Sequence, residues 1–144
     1  MYTDELMNRT WTIIAVNDVP SSAAWYSELL GAHNNHPGGK AFDQILDSDG
    51  TVLLCLHHWG PSGRNGDHHW APLSLRSDGV GNGLLLWFVV DGFDAAYDRA
   101  RALKAPIEEA PNDDNGTGKR AFVIRDPDGY YVAVNEAWSV AGQH

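Results

Sequence analysis

A chain of 144 residues with 43% hydrophobic residues and six Trp has the length of one ordinary domain, and enough apolar surface to offset the entropy of ordering it. That excludes a disordered chain. Nineteen acidic against ten basic residues give a formal net charge of −9, the wrong sign for a protein that binds by neutralising phosphates, so no nucleic-acid partner is expected.

The single Cys55 excludes an internal disulfide, and no apolar run reaches the length of a membrane span. No basic segment followed by an apolar leader opens the chain, so a reducing cytosol is the expected compartment.

Thr10 to Val16 (TWTIIAV) is β-branched and aromatic and reads as a first strand. A helix follows, with Pro20 at a first helical position, Ser21 and Ser22 able to serve the free N–H groups, and Trp25/Leu29 and Tyr26/Leu30 four apart on one face. Gly31 stops it. After turn-rich residues 32–40, which leave room for one more short strand, Ala41 to Leu46 and Thr51 to His57 read as strands joined through Asp47-Ser48-Asp49-Gly50. Residues 58–83 read as a long connecting loop.

Leu84 to Val90 begins a second unit. Phe93, Ala96, Tyr97, Ala100 and Leu103 recur at helical spacing, with Pro106 just beyond, and residues 111–119 form another loop. Arg120 to Arg125 and Tyr130 to Glu136 are strands joined by Asp126-Pro127-Asp128-Gly129, where Pro presets φ and Gly accepts a positive one.

The two halves match each other. A shift of 73 lays Asp18 on Asp91, Ala23 on Ala96 and Leu30 on Leu103, and a shift of 79 lays Asp47-x-Asp49-Gly50 on Asp126-x-Asp128-Gly129. Module one spans about 10–57 and module two about 84–137, within one domain over 1–144.

Three stretches, in this order, carry a wider resemblance: V-x-D with S-x-x-W-Y-x-x-L-L-G (Val16 to Gly31), V-V-D-G-F-D-A-A-Y (Val89 to Tyr97) and R-D-P-D-G-Y-Y (Arg125 to Tyr131). On these the chain resembles the glyoxalase / bleomycin-resistance / dioxygenase superfamily, the vicinal oxygen chelate proteins. The resemblance implies an α+β fold of two tandem β-α-β-β-β modules whose mixed sheets curl into a cup, and often a homodimer. It also implies metal ligands on the first and last strand of each module, His, Gln or Glu in most members. Counting seven residues back from the strand-end Asp and four on from the turn Gly places those positions at Trp11 and Leu84, and at Leu54 and Ala133. None is a metal donor, so no metal and no cofactor are expected.

Because side chains of a strand alternate faces, the same count puts Ile13, Ala15, Val52, Leu56, His58, Leu86, Phe88, Tyr131 and Asn135 in the cup beside those four. Such a lining suits a small, flat or aromatic molecule, and the acidic balance adds a preference for a cationic one. The rival is catalysis: His58 as proton-transfer group, with Tyr131 or Asn135 holding an oxyanion or hydroxyl, would make a metal-free isomerase or lyase.

Other chemistries are weaker. Six of the seven His lie between His33 and His69, yet adjacent His57-His58 point to opposite strand faces and the spacing fits no metal motif. A metal enzyme using His57, His58, His68 and His69 is the remote alternative. Cys55 and His57 share a face, expected to be away from the cup, where Cys55 is a structural thiol. Gly79 to Gly83 and Gly116 to Gly118 lack a phosphate-loop context. Arg120 is a candidate partner for a ligand carboxylate, although a solvated strand end explains it as well. Trp25, Trp59, Trp70 and Trp138 belong to the site or to a subunit interface. The expected protein is thus a small-molecule binder, dimeric, with neither nucleic acid nor membrane as partner.

Overall fold

The computed structural model describes residues 10–60, 84–113 and 119–137. Most of the connecting loop, with His68, His69 and Trp70, lies outside the described residues, as do Gly79 to Gly83, Gly116 to Gly118 and Trp138.

Module one runs β1 (Ile13–Val16), α1 (Val19–Leu30), β2 (His33–Asn34), β3 (Phe42–Leu46) and β4 (Val52–His58). Module two repeats the plan with β5 (Leu85–Val90), α2 (Phe93–Ala102), β6 (Ile107–Asn112), β7 (Ala121–Arg125) and β8 (Tyr131–Glu136). Each module makes a four-stranded mixed sheet of the same order, β1-β4-β3-β2 and β5-β8-β7-β6, with the first pair parallel and the rest antiparallel. The expected α+β architecture of two tandem curled modules is the observed one.

Asp18, not Ser21 or Ser22, caps α1: its carboxylate accepts from the Ser21 N–H at 2.9 Å. Gly31 ends the helix at φ 62°, a left-handed conformation that glycine adopts without steric cost. Strand β6 was not legible. Its sequence IEEAPN has no apolar alternation and contains Pro111, which the ladder tolerates because β6, among the described residues, is an edge strand paired with β7 alone, in irregular register.

Both helices bury one stripe into a single continuous core. Tyr26 and Leu29 of α1, Phe93 and Ala96 of α2, and Ile45, Leu56, Phe122 and Val134 of the sheets all belong to it. Polar contacts tie the modules together at its margin. The Tyr26 hydroxyl donates to Asp126 at 2.6 Å, the Tyr130 hydroxyl to the Ala15 carbonyl at 2.9 Å, the Asn17 N–H to Asp128 at 2.9 Å and Arg99 Nε to the Leu29 carbonyl at 3.0 Å.

Candidate functional site

The register fixes which side chains share a face. In the first sheet Ile13 lies beside Cys55 and Ala15 beside His57, while Gln44 and Phe42 pair with the same two residues from the other side. These six look away from the helices. Ile14, Val16, Ile45, Leu54 and Leu56 point the opposite way, into the core. In the second sheet Leu85, Trp87 and Val89 lie beside Tyr131, Ala133 and Asn135 on the outward face, and Leu86, Phe88, Val132 and Val134 face the core.

The structure therefore corrects the expected lining strand by strand. Ile13, Ala15, Tyr131, Ala133 and Asn135 share the outward faces, with Trp11 just ahead of β1 and 59% exposed. Leu54, Leu56, Leu86 and Phe88 are core residues, and Leu84 packs against that core half-buried. His58 is on the helix side of β4, and Val52 lines a groove between the modules. Cys55 and His57, expected away from the cup, are on the outward face.

Two single-residue offsets cause this. Helix α1 begins at Val19 and α2 at Phe93, so the modules superpose there at a shift of 74, which also lays buried Ser22 and Tyr26 on buried Ala96 and Ala100. Matching residue identity gave 73 and flipped β5. At the last strand, His58 sits beside Val16 and Glu136 beside Val90, a shift of 78 where the turns differ by 79. The extra residue is a β-bulge: Ile45 pairs with Leu54 but Leu46 with Val52, leaving Leu53 over and reversing the parity of β4.

The structurally equivalent positions for the implied metal ligands are then Trp11 and Leu85, Cys55 and Ala133. Cys55 alone carries a donor, and among the described residues no three His, Cys, Asp or Glu side chains converge on one point. The donor set does not fit the implied metal site.

Cys55 is fully buried, and burial pushes its thiol pKa up, with the Gln44 amide 3.8 Å away opposing weakly. It is not poised as a thiolate nucleophile. On the second sheet Arg125 lies 3.7 Å from the Tyr131 ring centroid and donates to Tyr131 Oη, the Gly129 carbonyl and Glu108. Trp87, Leu85 and Val89 are 42%, 48% and 49% exposed beside this plate.

His58 does not join Tyr131 or Asn135. It lines a separate recess of about 370 Å³ with Asn17, Asp18, Val19, Pro20 and Lys40, and its buried Nε2 has no hydrogen-bond partner among the described residues. The proton-transfer constellation expected from sequence is thus not assembled, because His58 and the two module-two residues belong to different faces of different sheets. Arg120, the candidate for a ligand carboxylate, is instead held by Asp94 and Glu136 at 3.0 Å each and lies over the Phe93 ring. Those contacts raise its pKa and lower that of Glu136.

A larger concavity, of about 560 Å³, is lined by Leu30, Asp47, Val52 and Leu53 of module one and by Trp87 to Asp91 and Ala137 of module two. Of the lining expected from sequence it contains only Val52 and Phe88.

This arrangement, two duplicated mixed sheets with an apolar outward face, defines a vicinal-oxygen-chelate type of protein. The family model of the Glyoxalase/Bleomycin resistance protein/Dioxygenase superfamily matches residues 9–134, and the chain belongs to that superfamily. No curated protein matches it in sequence.

Among solved structures it is similar to a protein of unknown function from Agrobacterium tumefaciens str. C58, with 24% identity, TM-score 0.67, and coverage of 91% of this chain and 94% of that one. It is similar to a lactoylglutathione lyase from Agrobacterium tumefaciens at 18% identity and TM-score 0.64, covering 93% and 96%. A glyoxalase/dioxygenase from Nostoc punctiforme shares 20% identity at TM-score 0.63, covering 96% and 97%. At these identities the likeness is one of fold. No helix among the described residues is long and apolar enough to cross a membrane.

Proposed function

We propose that this protein binds a small molecule with an aromatic or apolar body against its outward sheet faces, without a metal, and that a second copy of the chain closes the site. One observation carries the reading. Five of the large apolar side chains exposed to solvent, Trp11, Ile13, Leu85, Trp87 and Val89, are on or directly ahead of β1 and β5, on the side away from the helices.

Among the described residues both are edge strands, and β5 has neither a charge nor a Pro to discourage pairing. Burying each such side chain contributes about 1.5–3 kcal/mol, so the surface favours coverage. Catalysis through His58 loses support because Tyr131 and Asn135 are not beside it.

Sedimentation velocity of the whole chain, paired with tryptophan quenching by small aromatic compounds, tests the reading. A dimer that Trp87→Glu converts to a folded monomer, with quenching weakened, is the expected result. A wild-type monomer that no aromatic compound quenches would overturn it.

A further inference from the structure

We infer that the phenol of Tyr131 sets the specificity of the outward-face site, which takes an uncharged ligand whose aromatic or apolar body carries a hydrogen-bond acceptor such as a carbonyl, an ether or a ring nitrogen. The inference rests on the proposed small-molecule binding and names the ligand class.

Tyr131 opens β8 on the outward face, half-buried, with Leu85 of β5 beside it on one flank and Arg125 of β7 on the other. The Arg125 guanidinium lies 3.7 Å from the ring centroid and donates to the phenol oxygen. It is itself held at two further points: Nη1 donates to the Gly129 carbonyl at 2.8 Å and Nε to Glu108 at 3.1 Å. A planar group pinned in this way fixes the phenol it covers, so little ordering is left for a ligand to impose.

The direction of the bond decides what Tyr131 can offer. A guanidinium only donates, so Tyr131 Oη is the acceptor, and its own O–H has no acceptor among the described residues. The neighbours on this face, Leu85 and Trp87 of β5 and Ala133 of β8, carry no side-chain acceptor to take it. A charged donor on the oxygen also polarises the O–H and strengthens it as a donor. Charged ligands gain less: the Glu108 carboxylate offsets the guanidinium toward an anion, and a cation meets the guanidinium itself. A plain hydrocarbon would cover the O–H and leave it unpaired.

The test follows binding of acetophenone and of isopropenylbenzene, in which a methylene replaces the carbonyl oxygen, to the full chain by ligand-observed NMR titration. The wild type should favour the ketone about fivefold, the worth of one neutral hydrogen bond, and should bind benzoate more weakly than the ketone. Tyr131→Phe should bring the ketone and the hydrocarbon to equal affinity. Arg125→Lys keeps the charge but not the flat, forked contact, and should narrow the ratio while leaving the hydrocarbon's affinity unchanged, where a purely structural role would weaken both. Equal wild-type affinities, or a ketone preference that survives in Tyr131→Phe, would overturn the inference and leave the apolar site standing. Tighter binding of benzoate than of the ketone would overturn it in favour of an anion site at Arg125. Failure of both uncharged compounds to bind would remove the inference and the binding reading together.

Discussion

At the scale of single residues, Tyr26 on Asp126 is a buried hydrogen bond of 2.6 Å that joins the two modules. Asp126 is 4% exposed, and burial raises its pKa while hydrogen bonds from Tyr26, Tyr130 and Asp128 pull it back down. A carboxyl whose folded pKa is raised contributes most stability in acid and loses that contribution as pH rises through the folded value.

Tyr26→Phe removes one of the opposing hydrogen bonds, so the folded pKa rises further and the cost is greatest where Asp126 is charged. The variant should lose about 1–3 kcal/mol at neutral pH. Urea unfolding should show the gap narrowing toward about pH 4. An equal loss at both pH values would mean that Tyr26 acts through packing alone. The D-P-D-G turn is plain in the sequence, but its partner lies 100 residues earlier in the chain, and no local signal joins the two.

At the scale of elements, periodicity and turn chemistry gave most strands and both helices, and parity then failed by one residue in β4 and β5. The physical reason is that a strand face reverses with every residue, so a single bulge at Leu53 exchanges core and surface for the whole strand that follows. Helix registers are more forgiving. The expected face of Trp25, Tyr26, Leu29 and Leu30 overlaps the buried stripe at Tyr26 and Leu29, with Trp25 and Leu30 packed at its margin, because a slip of one residue rotates a helix by only about 100°. That is why the architecture was legible and much of the candidate lining was not.

The helix end makes its own demand. Gly31 sits at φ 62°, and a methyl group there would stand 3.6 Å from the Arg99 guanidinium, an ordinary contact. Gly31→Ala should therefore cost the conformational term alone, about 1–2 kcal/mol in chemical denaturation. A loss well above that range would show that Arg99 is displaced from the Leu29 carbonyl as well.

At the scale of the whole molecule, one core runs through both modules, and Tyr26, Ala15 and Leu29 of the first are bonded to Asp126, Tyr130 and Arg99 of the second. The modules should unfold together: helix circular dichroism and tryptophan fluorescence should trace a single superimposable denaturant transition, whereas two transitions would mean separable halves.

The duplication is not symmetric in its duties. The turn of module two, Asp126 to Gly129, reaches across to Tyr26, Asn17 and Ser22. In the turn of module one, the hydrogen bonds of Asp47 and Asp49 stay within residues 47–51, and both carboxylates face solvent. The same duplicated motif is therefore constrained unequally: a change at Asp126 loosens the joint between the modules, while a change at Asp47 breaks only contacts inside its own turn. A substitution in one copy of the turn is thus a local event, whereas the same substitution in its twin is felt by both modules.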